Sequence, residues 1–566
     1  MPLPVPPPLG YPVPYSRHAV SVQLPTWQDM CGMAQGEPRV KRVQRIGYPR
    51  SFLQKDVQAL IDTAVEIFGT AKESCLIFPS FSHAAACGAF IRSHISSPES
   101  INGEYSVRAV DFPRGAASRP QSCSNHVLIC TAQSMNVRLF AVFFPTEFRS
   151  TAIKFWRLTG TGISSRLAED LLTSNTFTKN VFLPLVTDAN PFRKACVEDA
   201  ADIIKCRIAN LLGRTLPSNS SKNFVDAADV YLYPSGMSAI YHCNQLLNTW
   251  RGTQSIVFGF PYELTLKLVE TFGTSCKFFG FGTPDELQEL EQFLEIEAEN
   301  GRSIQAIWCE CPSNPLLRTV DLDRIRQLAD QFNFPVVVDE TIGTFANVDL
   351  LQVADVIVTS LTKSFSGYLD VMAGSIALNP SSRFYKPFKK ALDSSYRNEL
   401  YAADAIQLEC NSRDFLARAG KMNETAATLV SHLETFISNP ESALTKIYYP
   451  SQCWSVANYQ ARMRPSTPEF YPGYGCLFTL DFADVEAATV FFDTLDVHKG
   501  PSLGGNLTLA QPYVQTVFFR EKDWAAQFGL RETIVRVSVG LEDAGELLAT
   551  FDKAVRKARK STALNM

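Results

Sequence analysis

The chain has 566 residues, 46% hydrophobic and 19% charged, with 53 basic against 57 acidic side chains and a net charge of -4. That length outgrows a single hydrophobic core, and the composition excludes a disordered protein. The near-balance of charge gives no pull toward nucleic acid or anionic lipid.

The 14 cysteines are scattered, with no CxxC repeat and no histidine at zinc spacing, so no metal site is expected. The N-terminus, MPLPVPPPLGYPVPY, lacks the cationic and apolar regions of a secretory signal. No apolar run approaches the ~20 residues that span a bilayer. Together with unpaired thiols this predicts a cytoplasmic protein with neither membrane nor nucleic-acid partners.

In chain order, residues 1–16 read as an extended proline-rich arm outside any core. HAVSVQLPTW (18–27) predicts a short strand, 57–68 a helix, and CLIFPS (75–80) a buried strand. The Ser-, Pro- and Arg-rich stretch 96–126 reads as a surface excursion, and VLICTA (127–132) and LFAVFF (139–144) as paired strands. A helix over 197–212 and a loop over 218–223 follow. From VYLY (230–233) onward, short apolar strands alternate with helices: 255–260, 306–310, 335–340 and 356–360 are the strands. This pattern predicts a mainly parallel sheet covered on both faces. Beyond about residue 400, helices and wider-spaced strands (476–482, 534–540) predict a smaller α+β domain. The division expected is an N-terminal region 1–180, a large α/β domain 181–400 and a C-terminal domain 401–566. A faint echo links GYPR…LIFPSFSHAA (47–85) with NPFR…YLYPSGMSAI (190–240).

The chemistry concentrates in 336–378. One apolar strand ends at Asp339 and the next at Ser360-Leu361-Thr362-Lys363, both at the carboxyl edge where α/β sheets bind ligands. A partly desolvated lysine is nucleophilic, and an acid one strand away can hold a pyridinium proton. Pyridoxal phosphate (PLP) requires that pair; an ordinary strand-end ion pair is the alternative. Ser235, Gly236 and Met237 lie between a strand and a helix opening near Ser238, where small residues let amides approach a phosphate. Ser360 and Thr362 add hydroxyls. Read alone, this second motif is more readily a plain strand–turn–helix; taken with the lysine segment, it points to the phosphate.

SGMSAI (235–240), YELT (262–265), ECPSNP (310–315), VVVDET (336–341), SLTKSFSGYLDVMAG (360–374), SLGG (502–505) and VRVSVGLED (535–543) stand in one order over residues 225–545. In these the chain resembles the Cys/Met-metabolism class of PLP enzymes, and its long N-terminal part most resembles fungal-type cystathionine γ-synthases. The resemblance implies PLP fold type I, aspartate-aminotransferase-like, and a homodimer or homotetramer acting on small amino acids. It implies Lys363 as Schiff-base lysine and proton shuttle, Asp339 on the pyridine nitrogen, and Tyr262 stacked on the ring. It further implies Asn314 on the phenolic oxygen, Arg536 on the substrate carboxylate, and Ser502 and Leu503 lining the substrate site. The implied reaction is γ-replacement on an O-acetyl- or O-succinylhomoserine, with cysteine giving cystathionine. Sulfhydrylase, lyase and carbon-nucleophile reactions are the alternatives in the same class, and a cofactor-binding but inactive scaffold the alternative outside it.

Three departures from the family pattern stand out. The Tyr-x-Arg phosphate clamp, which the family takes from a neighbouring subunit, is absent from 184–193. Tyr48 and Arg50 are the favoured replacements, ahead of Tyr15 and Arg17. Leu507 stands where a glutamate associated with substrate choice is usual, and Tyr368 where a histidine is common.

Overall fold

The structure, a computed structural model, describes residues 3, 5–49, 51–95, 106–112, 137–173, 200–214 and 224–559. The predicted strand 127–132, the loop 218–223 and the segment 184–193 lie outside them.

The proline-rich arm joins a core, contrary to expectation. β1 (Pro12–Val13) pairs antiparallel with β2 (Ser21–Val22), and Val13 is fully buried beside Val20, Leu369 and Leu509. Proline's fixed φ suits extended backbone, and a two-residue edge strand tolerates its missing N–H. Two helices that sequence patterning did not reveal follow, α1 (Trp27–Gln35) and α2 (Pro38–Val43). Thr26 opens α1 with a capping box: its hydroxyl accepts from Asp29 N, and the Asp29 carboxylate accepts from Thr26 N.

A separate layer holds α3 (Lys55–Phe68), β3 (Glu73–Phe78), α4 (Phe81–Ser93), β4 (Ser106–Phe112), β5 (Val137–Pro145), α5 (Arg149–Thr159) and α6 (Ser165–Thr173). Its strands form an antiparallel sheet in the order β3-β5-β4. β4 falls inside the stretch expected to be a surface excursion. It pairs with β5 from Ser106↔Phe143 onward, so partnership with an apolar central strand outweighs the polar composition of its flanks.

After α7 (Ala200–Gly213) comes the large sheet: β6 (Val230–Tyr233), α8 (Gly236–Trp250), β7 (Gln254–Phe258), α9 (Glu263–Phe272), β8 (Ser275–Phe279), β9 (Ile304–Glu310), β10 (Val336–Asp339), β11 (Val356–Thr359) and β12 (Gly374–Leu378). Among the described residues its order is β6-β12-β11-β10-β9-β7-β8, with β12 antiparallel to both its neighbours. Alternate residues serve opposite faces: Val336 and Val338 join one apolar cluster, Val337 and Val358 another. Both clusters are buried, which is why these strands read as unbroken apolar runs.

A smaller sheet, β13 (Leu444–Tyr448), β14 (Leu477–Phe482), β15 (His498–Lys499), β16 (Leu509–Pro512) and β17 (Ile534–Ser538), is ordered β13-β14-β17-β16-β15. Helices Phe415–Ile437 and Ala544–Lys557 pack on it. The faint sequence echo corresponds to a shared geometry. β3 and β6 each lead through a serine cap, Ser80 or Ser235, into a helix, and each serine hydroxyl accepts the amide three residues on.

Candidate active site

The carboxyl ends of β9, β10 and β11, the start of α8, the loop 501–503, β17 and the segment around Tyr48 enclose a cavity of about 940 Å³. Its size suits a cofactor together with a substrate.

Lys363 follows β11 and is buried. Its Nζ donates to Tyr48 Oη at 3.0 Å and to Ser502 Oγ at 3.1 Å, and lies 4.5 Å from the Tyr48 ring centre. Among the described residues no carboxylate lies within ion-pair distance of it, so the strand-end ion pair with Asp339 does not form. Ser502 holds φ at 110°, a conformation that costs a non-glycine residue about 1–3 kcal/mol and gathers at working sites. Its carbonyl meanwhile accepts from Arg536 Nη2 at 2.9 Å, so one strained residue ties lysine to arginine.

Asp339 ends β10 opposite Glu310, the last residue of β9. Burial raises both carboxyls above their usual range, and Asp339 raises Glu310 further. Glu310 accepts from Tyr262 N at 2.5 Å and Asn314 N at 3.1 Å, fixing the two residues that flank it. Tyr262 caps α9, and burial followed by the nearby Tyr48 raises its phenol well above the ordinary range.

At the other end, Ser235 Oγ accepts from Ser238 N, and the Ser235 carbonyl from Ala239 N. The helix therefore opens at Gly236, two residues before the expected start. Among the described residues the amides of Gly236 and Met237 have no acceptor. A Cβ on Gly236 would stand 2.7 Å from Ser360 Cβ, and one on Gly374 would stand 2.3 Å from the Ser235 carbonyl oxygen. Glycine lets the three segments close here. The Thr362 hydroxyl donates to Ala373 O at 3.2 Å and accepts from Ala373 N at 3.0 Å, so it braces the loop.

Arg536, on β17, is buried with no carboxylate in ion-pair reach among the described residues. It donates to Asn314 Oδ1 at 3.1 Å and Gln511 Oε1 at 2.7 Å, and its guanidinium lies 4.8 Å from the Tyr513 ring centre. A buried cation held only by neutral acceptors favours an anionic ligand. Leu503 lines the same cavity.

Arg50 lies outside the described residues. Tyr15 is 80% exposed, and Arg17 pairs with Asp56 and Glu169 away from the cavity. Leu507 packs toward the Val13–Leu369 cluster and does not line the cavity. Tyr368 is exposed, its hydroxyl 3.3 Å from Asp414 Oδ2. Sequence reading gave Glu310, Gln511 and Tyr513 no role. Glu310 carried a signal, an acid closing the apolar run AIWCE beside a strand that also ends in an acid. The other two reach the site only through long-range packing.

These residues fit PLP. Asp339, half-buried, and Glu310, buried, are acids with no cation in ion-pair reach among the described residues, suited to a protonated pyridine nitrogen. The free amides at the start of α8 suit a phosphate, and an amine lies in the same cavity. The large parallel sheet with its ligand residues at the carboxyl edge, and the smaller sheet supplying Arg536, define a PLP enzyme of fold type I.

Comparison with known proteins agrees. The Cys/Met metabolism PLP-dependent enzyme family matches residues 194–556, and the fungal trans-sulfuration enzyme N-terminal domain matches residues 56–164. An alanine racemase, ungC, of Aspergillus violaceofuscus is 37% identical, with 97% of this chain and 96% of that one covered. A cystathionine gamma-synthase of Neurospora crassa is 33% identical over 98% of this chain and 99% of its own. The crystal structure of cystathionine gamma synthase from Xanthomonas oryzae, 20% identical, superposes with a TM-score of 0.51 over 64% of this chain and 86% of that one. The chain belongs to the Cys/Met metabolism family of PLP-dependent enzymes.

Proposed function

We propose that the enzyme exchanges the γ-substituent of an activated homoserine ester for the sulfur of cysteine, releasing the carboxylic acid and forming cystathionine. The observation that carries this is the placement of Lys363, Ser502 and Arg536 in one hydrogen-bonded row on one cavity wall. Asp339 would hold the cofactor's ring nitrogen, Tyr262 its ring face, Asn314 its phenolic oxygen, and Gly236, Met237 and the Ser360 hydroxyl its phosphate. Ser235 shapes that phosphate cradle. When bound, PLP withdraws electrons from the carbons next to the substrate amine. Arg536 takes the substrate α-carboxylate as a two-pronged clamp, exchanging its neutral acceptors for an anion. That fixes the Cα–H bond relative to Lys363, whose amine removes the proton and carries it along the chain. Tyr48 and Ser502 hold the amine in line. The amine then removes a proton from Cβ, and the electron pair left there expels the carboxylate from Cγ; the cysteine sulfur adds at Cγ as its thiol proton passes to the released carboxylate, and Lys363 returns the two protons to Cβ and Cα.

A second reading, proton exchange at Cα alone, is supported by the relative named alanine racemase. It needs the arginine clamp and the lysine but no leaving group. Incubating the PLP-loaded protein with O-acetylhomoserine and cysteine, and separately with L-alanine, tests both. Cystathionine detected by mass spectrometry supports the first, and D-alanine without cystathionine replaces it with the second. Acetate release without cystathionine leaves the leaving-group half intact and points to another nucleophile, sulfide or carbon. Assembly as a homodimer or homotetramer forms part of the proposal, drawn from the resemblance.

A further inference from the structure

The family resemblance brings a tyrosine to each site from a neighbouring subunit, whereas the contact seen here lies within one chain. We infer that the arm of residues 5–49 completes the cavity of its own protomer, with Tyr48 acting as a positioning residue for the Lys363 amine in cis. The inference rests on the reading of Lys363 as the cofactor-bearing lysine.

Both ends of the arm are fastened to this chain. On one side it is sewn to the small domain and to the segment after β11 that carries Lys363. Val20 N donates to Leu369 O at 2.7 Å, Leu24 N to Lys499 O at 2.8 Å and Trp27 N to Asp493 Oδ1 at 2.7 Å, and Lys499 Nζ donates to Pro25 O at 2.9 Å. Val22, Leu24, Met30 and Val40, all fully buried, belong to the same apolar cluster as Phe478 and Val537. The fit leaves no slack: a Cβ on Gly500 would come within 2.3 Å of the Val22 carbonyl oxygen. On the other side, Arg17 forms ion pairs with Asp56 of α3 and Glu169 of α6. Tyr48 lies seven residues before Lys55, the first residue of α3, so the short link fixes which site it can reach. These backbone hydrogen bonds and the shared buried apolar cluster make the arm part of the domain it covers rather than a strap lent to another copy.

The phenol oxygen, 3.0 Å from Nζ, fixes where the amine stands. Removing the Tyr48 hydroxyl therefore changes the pH at which the lysine-bound cofactor changes its absorbance.

The test uses the full chain loaded with PLP. Tyr48→Phe and Lys363→Ala are given different affinity tags, co-expressed, and the mixed assembly is isolated through both tags. The absorbance of the lysine-bound cofactor is then titrated with pH. Loss of one hydrogen bond of about 1 kcal/mol moves the midpoint of the Tyr48→Phe homo-assembly by about 0.7 pH unit from wild type. In the mixed assembly only the Tyr48→Phe chain keeps a lysine. A midpoint equal to that of the Tyr48→Phe homo-assembly supports the cis contact, and a midpoint restored to wild type overturns it. If the tagged chains do not associate, a lone wild-type protomer whose midpoint shifts on Tyr48→Phe supports it equally. An unshifted Tyr48→Phe midpoint overturns it in any assembly. Lys363→Ala alone must lack the lysine-bound absorbance while keeping the wild-type circular dichroism. If the absorbance persists, it is the reading of Lys363 that fails.

Discussion

Glu310 and Asp339 close neighbouring parallel strands in register, so a buried and a half-buried carboxyl group face the same cavity side by side. Burial raises both above the usual carboxylate range, and each raised group stays protonated in the fold where the unfolded chain has released its proton. Stability present at low pH is therefore lost as pH climbs from the ordinary carboxylate range through the raised values. The cofactor-free protein is expected to unfold at lower temperature as pH rises through that window. Glu310→Gln, which removes one of the two titrations, should flatten the slope; calorimetry across pH checks this.

Asp339 has no cation in ion-pair reach among the described residues until a protonated ring nitrogen arrives. Asp339→Asn should weaken PLP binding by about 3–5 kcal/mol, the range for removing one member of a buried pair. Fluorescence titration of the apoprotein with PLP measures it. An unchanged dissociation constant would remove Asp339 from the ring-nitrogen position.

Arg536 touches no cofactor-facing acid, and its partners are Asn314, Gln511 and the Ser502 carbonyl. Arg536→Lys keeps the charge but loses the two-pronged geometry. It should lower kcat/KM by about 10²-fold or more, as for a truncated charge pair worth about 3 kcal/mol, while cofactor absorbance stays at the wild-type level. A variant that loses cofactor and activity together would mean that the arginine serves PLP instead of the substrate.

Gly236 packs its backbone against Ser360, where an added methyl would meet Cβ at 2.7 Å and Oγ at 2.8 Å. Gly236→Ala should cost about 1–3 kcal/mol of stability through overpacking and pry α8 away from the loop after β11. Adding Ser360→Gly removes both clashing atoms and should recover most of the melting temperature, but not the phosphate affinity to which the serine hydroxyl contributes. Thermal denaturation and PLP titration of the single and double variants separate the two effects.

The parts legible in the sequence are those whose signals are local. VVVDE and VIVTS announce buried parallel strands because both faces are covered, and a polar residue closing each run marks the ligand edge at Asp339 and Lys363. Ser235-Gly236-Met237 is legible because a tight turn into a helix restricts which residues fit. The arm was misread because proline-rich composition describes the backbone and not what Val13 and Leu24 pack against several hundred residues away. β4 was hidden by its polar flanks and because LFAVFF (139–144), expected to pair with 127–132, has β3 on one edge and β4 on the other. Gln511 and Tyr513 enter the site only because β16 pairs with β17, which no spacing rule reports.

The account stands on Lys363 being the amine that holds PLP. Reducing the loaded enzyme with borohydride fixes the cofactor to its lysine, and peptide mass mapping then locates it. The added mass on the peptide containing Lys363, absent when the variant Lys363→Ala is treated in the same way, is the predicted result. Cofactor fixed to any other lysine, or undiminished in that variant, would contradict it.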